Sequence, residues 1–289
     1  MKDRRDPKAP GEGEEERSEF VDSLKKGMLI GAALLLVLVP AMRSMQHRQA
    51  DQPPQVAIAP QAQRAPASAP ALRLADFGRE QPSADARLVG NWVAATGNAG
   101  RHAFILVDKK DARVYVFGPD GRLMESAPAL LGAARGDDSY PGIGDKPLSQ
   151  VKPYEKTTPA GRFVAEPGRN AGNEDIVWVS YDLAVSMHRV RPLVARERRL
   201  ERLASKTIDD NRISFGCINL PVRFYENVVS PTVQKYGAII YVLPDVKTPQ
   251  EVFGAYDVTD PQQVAEAQAR QQQVAQAAGM EKVVLRPAR

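Results

Sequence analysis

Cysteine and histidine are scarce in this chain. Its 289 residues hold one cysteine, Cys217, and three histidines, His47, His102 and His188. A single thiol excludes an internal disulfide framework. With the histidines scattered, no metal-ligand spacing exists, so no metal is expected; the adjacent Asp137-Asp138 is weak ground for a cation. A net charge of +4, from 39 basic and 35 acidic residues, comes without a basic arm or an aromatic–basic stacking pattern. Nucleic acid is therefore excluded as a partner. No phosphate-binding glycine loop or nucleotide fingerprint is present, so no cofactor is expected. Internal repeats are absent.

Long apolar runs are also few. Gly27 to Met42 carries no charge, follows Lys25-Lys26 and ends at Arg43. It falls short of the about 20 residues of a typical spanning helix, and lysines at its leading edge favour that end in the cytoplasm. The expectation is a cytoplasmic tail over 1–26, a single-pass membrane anchor over 27–43, and the remaining chain outside the cytoplasm. A signal cleaved near Val39-Pro40-Ala41 is the alternative. Residues 44–71, rich in Pro, Gln and Ala, read as an extended linker.

Residues 72–100 read as a helical lead-in, with Trp92 as a packing anchor. Strand signals follow at 103–107, 112–117, 122–131, 162–165, 175–188 (two strands joined at Tyr181-Asp182) and 238–243. Helical patterns cover 192–204 and 222–236, and a long loop spans 132–159. The fold class is α+β, mainly β with a few helices, over a domain of 101–245. Residues 246–289 read as an Ala/Gln-rich tail with a marginal helix.

A lone thiol outside the cytoplasm is an oxidation hazard unless it is used. Cys217 sits in Ser214-Phe215-Gly216-Cys217-Ile218-Asn219, and His188 ends an apolar alternating run upstream. A thiol attacks as thiolate, and an imidazole is its natural base. The amides of Gly216 and Cys217 are candidates to stabilise an oxyanion. Thiol, imidazole and paired amides together make acyl transfer through a thioester feasible.

Three segments resemble the L,D-transpeptidase (YkuD-like) catalytic domain. Thr157-Thr158-Pro159-Ala160-Gly161-Arg162-Phe163 is similar to the family's Thr-Pro-x-Gly-x-Phe string. Val185-Ser186-Met187-His188 is similar to the strand ending in its histidine. Ser214 to Asn219 is similar to its nucleophile string. The resemblance implies a β-sandwich of mixed sheets, Cys217 as nucleophile, His188 as base, and an oxyanion hole from Gly216 and Cys217. It implies a backbone carbonyl, and no acid such as Asp182 or Asp210, orienting the histidine. The substrate it implies is a peptidoglycan tetrapeptide stem, cross-linked in the bacterial periplasm by an enzyme of the inner membrane.

Two departures stand out. Phe215 replaces the histidine that commonly precedes the Gly-Cys pair, and the stretch 189–213 is long and basic. That stretch reads either as a solvated helix face, with Leu200 and Leu203 inward, or as a cationic lid for stem carboxylates. Arg212 is the lid's nearest candidate to Cys217; Ser214, Phe215 and Asn219 are the other candidate substrate contacts. A carboxypeptidase or hydrolase on the same scaffold, and a non-catalytic peptidoglycan-binding module, remain open as alternatives.

Overall fold

Every residue of β1 (Ala103–Asp108) is buried. Alternate side chains leave a strand on opposite faces. Ala103, Ile105 and Val107 enter one apolar cluster, while Phe104 and Leu106 enter another. Burial on both faces explains why this strand reads as a continuous apolar run. In the computed structural model, which describes residues 72–284, β1 is central to a mixed five-stranded sheet. β2 (Arg113–Phe117) and β3 (Leu123–Pro128) extend it antiparallel on one side. β11 (Ala238–Val242) runs parallel to β1 on the other, and β5 (Gly161–Val164) closes that edge. The expected tail, anchor and linker (1–71) lie outside the described residues. Among the described residues no helix is long and apolar enough to cross a membrane.

A second mixed sheet has the order β10 (Ile218–Leu220), β8 (Val185–Arg189), β7 (Asp175–Ser180), β6 (Glu166–Arg169). Its Val177, Val185, Met187 and Ile218 share the first cluster with Ile105, Val114 and Ile240 of the larger sheet. Phe224, Tyr225 and Val233 join this core from a helical run: α3 (Val222–Phe224), a π turn (Tyr225–Val229) and α4 (Ser230–Tyr236). On the other face of the larger sheet lies α1 (Ala84–Thr96). Ser83 caps it by accepting from the Ala86 N–H, and Val89, Trp92 and Val93 pack on the second cluster. The Trp92 ring meets Tyr241 edge-on at 6.4 Å.

The structure departs from the sequence reading where local signals are weak. β6 reads Glu-Pro-Gly-Arg, a strand-poor string tolerated because it is an edge strand. β9 (Arg212–Ser214), which pairs in parallel with β4 (Leu131–Gly132), and β10 have three residues each, too few to show a period. Over 192–204 only α2 (Arg199–Ala204) is α-helical, starting after Arg198 at φ +50°. Past residue 245, Ala255 and Val258 are buried in the second cluster, with Phe253 packed against it. They are held by α5 (Pro249–Phe253), which a Thr248–Glu251 capping box starts. The packed domain therefore continues into the segment read as a tail, before α6 (Pro261–Val284).

Four buried charges tie β1, the 136–138 loop, β9 and the segment after β11 together. The Lys109 ammonium, fully buried, lies 3.0 Å from Asp137 and 3.4 Å from Asp245. Arg212 pairs with Asp245 at 2.7 Å. Asp137 also accepts the backbone N–H groups of Asp245, Val246 and Lys247. Burial alone would raise Asp137, but those amides and Lys109 overcome it and hold its pKa at about 2. The Asp137 charge is thus neutralised by a lysine and a turn of amides, which answers the cation question raised by its sequence.

Removing Lys109 leaves the buried Asp137 with its amides but no counter-charge, and Asp245 with Arg212 as its remaining cation. Lys109→Met is expected to cost about 3–5 kcal/mol in urea denaturation at pH 7. Because the folded-state pKa of Asp137 is depressed from 3.8 to about 2, its contribution is complete above the unfolded value and lost as pH falls toward the folded one. The wild-type denaturation midpoint should therefore drop between those two pH values.

Candidate active site

β8 and β10 pair in parallel, with Met187 opposite Ile218 and His188 opposite Asn219. Met187 and Ile218 point into the core. Strand alternation then puts Ser186 and His188, with Cys217 and Asn219, on the opposite face. Two neighbouring strands in this register bring thiol and imidazole together although they are distant in sequence.

The Ser186 hydroxyl donates to Cys217 Sγ at 3.6 Å, and Sγ donates to the Ala184 carbonyl at the same distance. His188 Nδ1 is 2.8 Å from the Arg189 carbonyl oxygen. A carbonyl only accepts, so Nδ1 donates to it and Nε2 is the ring nitrogen left for the thiol. Burial pushes the Cys217 thiol up. The hydrogen bond and charge of His188, with the Ser186 contacts, outweigh burial and bring it below the ordinary thiol value.

The backbone around the thiol is tied at three of its four polar groups. The Gly216 N–H donates to Ser214 Oγ at 3.1 Å. The Gly216 carbonyl accepts from Thr158 Oγ1 at 2.8 Å. The Cys217 carbonyl accepts from Ser214 Oγ at 2.6 Å and from Asn219 Nδ2 at 3.2 Å. Only the Cys217 N–H meets no partner among the described residues. The expected pair of oxyanion amides is thereby corrected: the Gly216 amide is occupied by Ser214, and the Cys217 amide is free. Gly216 itself, at φ +135°, has no room for a side chain, since a Cβ would lie 2.8 Å from the Thr157 carbonyl oxygen. The Thr157-Thr158 string therefore packs directly against the nucleophile string.

The candidate substrate contacts fare differently. Arg212 is corrected: it is buried in its ion pair with Asp245 and donates to the Lys109 carbonyl, so it has no fork to offer a substrate carboxylate. Ser214 and Asn219 are buried and hold the loop; Asn219 also accepts from Arg199 at 2.7 Å. Phe215 is 39% exposed, with the Lys156 ammonium 3.9 Å from its ring centroid. Much of the basic stretch is neutralised by local acids, Arg189 by Asp175 and Glu226, Arg191 by Glu174, Arg199 by Glu197. Leu203 packs inward and Leu200 is exposed. Asp182 is an exposed turn residue, and Asp210 accepts from Ser205.

Sequence reasoning missed a groove that reaches Ala184. An open groove of about 600 Å³ is lined by Trp178, Tyr181, Arg169, Asp145 and Asp182 and reaches Ala184, whose carbonyl meets Cys217 Sγ. Trp178 and Tyr181 meet edge-on at 5.1 Å. In sequence they are indistinguishable from ordinary strand and turn residues.

No protein-family model matches the chain. No curated protein matches it in sequence. Among solved structures it is similar to an Enterococcus faecium L,D-transpeptidase mutant (15% identity, TM-score 0.28, 49% of this chain and 50% of that one). It is also similar to the isolated E. faecium catalytic domain (16%, TM-score 0.30, 50% and 98%). A third is the helical cell shape determining protein Pgp2 from Campylobacter jejuni (19%, TM-score 0.34, 52% and 50%). The chain spans about half the length of the first and third. At these values the overlaps state a likeness and carry no chemistry.

Cys217 should be alkylated by iodoacetamide with a pH midpoint below that of an unassisted thiol. His188→Ala removes the groups that lower it and should shift the midpoint upward, read as rate against pH; an unmoved midpoint would contradict the pairing.

Proposed function

We propose that the protein is a cysteine-dependent acyltransferase of the L,D-transpeptidase type acting on peptidoglycan stem peptides. The observation that carries this reading is the parallel register of β8 and β10, which sets the lone thiol beside an imidazole whose Nδ1 is held by the Arg189 carbonyl; the thiol is lowered there by His188 and Ser186. The three sequence strings that resemble the family converge on that point.

In the proposed reaction, Cys217 Sγ attacks the carbonyl carbon before the terminal D-residue of a tetrapeptide stem. The oxyanion forms against the Cys217 N–H. His188 Nε2 takes the thiol proton as the sulfur attacks and passes it to the leaving amine; the D-residue departs, and a thioester remains. An acceptor amine then gives its proton to His188 and attacks the thioester, releasing the thiolate and forming a cross-link. The charge-free segment 27–42 and the Pro-rich linker support a place at the outer side of a bacterial inner membrane, with the domain held toward the wall.

Incubation with a disaccharide-tetrapeptide donor, followed by intact-protein and product mass, tests this reading. The expected result is an acyl-enzyme on Cys217 and a cross-linked dimer. A trimmed tripeptide alone would reassign the acceptor to water. Cys217→Ala should lose at least about 10⁴-fold in turnover; an equally active variant would reject the mechanism and leave a binding module. Trp178→Ala should raise KM about tenfold while kcat stays within about threefold, the mark of lost uniform binding.

A further inference from the structure

We propose that Thr158 is a positioning residue that aims the Cys217 amide, the untied member of the Gly216–Cys217 amide pair, a role that rests on the acyl-transfer reading of Cys217. The Gly216 carbonyl and the Cys217 N–H belong to the same peptide unit, and no cis peptide occurs among the described residues. In a trans peptide these two groups point in opposite directions. Whatever fixes the carbonyl therefore fixes the N–H.

The Thr158 hydroxyl donates to that carbonyl at 2.8 Å and accepts from the Gly132 N–H at 2.9 Å. Thr158 is fully buried, so neither bond competes with water. Its own carbonyl accepts from the buried Lys109 ammonium at 2.9 Å. Thr158 thus links the ion quartet to the peptide plane beside the thiol. With Ser214 holding the Gly216 N–H and Ser214 and Asn219 sharing the Cys217 carbonyl, the Cys217 N–H is the amide of these two residues left to meet developing negative charge. Thr158 touches no reacting atom; it acts through that donor.

The reaction used as a test decides the matter. Acylation builds an oxyanion and needs the aimed donor. Alkylation by iodoacetamide displaces iodide at carbon, builds no oxyanion, and needs only the thiolate. The full-length protein is acylated with p-nitrophenyl acetate, whose acetyl group bonds to Sγ as p-nitrophenolate leaves, and the rate is compared with alkylation. Thr158→Val should slow acetylation by about 10- to 100-fold, up to the loss of an oxyanion donor, while the alkylation rate and its pH midpoint stay unchanged. Thr158→Ser keeps the hydroxyl and should stay within about threefold of wild type in both. The serine variant keeps the test alive if the valine variant does not fold. A folded serine variant as slow in acetylation as removal of the hydroxyl requires, or a valine variant acetylated at the wild-type rate, overturns the proposal. Wild-type acetylation without reaction on the tetrapeptide donor would sink the stem-peptide reading and leave the role of Thr158 standing. A wild-type thiol that the ester does not acylate overturns both.

Discussion

The parallel, in-register pairing of β8 with β10 is the constraint on which the site depends. One face of those strands must be apolar, because Val185, Met187, Ile218 and Leu220 fill the core between the sheets. The opposite face then has no freedom over which residues meet. A slip by one residue would turn Cys217 and His188 into the core and expose Met187 and Ile218. Core packing and the meeting of thiol and imidazole are therefore one event, and the hydrophobic effect that closes the sandwich also sets the chemistry.

Pairing the strands does not by itself aim the loop that carries the thiol. The Lys109–Asp137–Asp245–Arg212 quartet supplies that second level. Buried charges of this kind contribute little net stability against apolar replacements. What they contribute here is place. The ammonium fixes Asp137 and the Thr158 carbonyl, and Thr158 reaches the nucleophile loop. Residues 109, 137, 158 and 212, far apart in sequence, converge at one point below Gly216.

Much of this was legible in the sequence, and the failures have physical reasons. β1, β2, β7, β8 and β11 were readable because burial imposes a period or an apolar run on five or six residues. β9 and β10 were not, because tertiary hydrogen bonds can hold three residues extended whatever their pattern. Cys217 and His188 were readable because their residue types are rare in this chain. Arg212 was misread as a substrate contact. Sequence shows a charge but not its neutraliser, and the partner Asp245 lies in another segment. Trp178 and Tyr181 were overlooked for the opposite reason, since aromatic residues in strands ordinarily mean packing. The Gly216 amide was assigned to the oxyanion because no sequence pattern reveals that Ser214 already occupies it.

The thiol has two unlike neighbours, the close contact between Gly216 and the Thr157 carbonyl and the groove that reaches Ala184. One is backbone against backbone, without spare volume, and continuous with buried charge. The other is made of the exposed Tyr181 and Arg169 and the half-buried Trp178. Changes of specificity within this architecture must come from the groove, where Trp178, Tyr181 and Arg169 can be exchanged without unseating the nucleophile loop. Directed-evolution libraries confined to those positions should retain folded, thiol-reactive protein at a far higher frequency than libraries that include residues 157, 158 or 216.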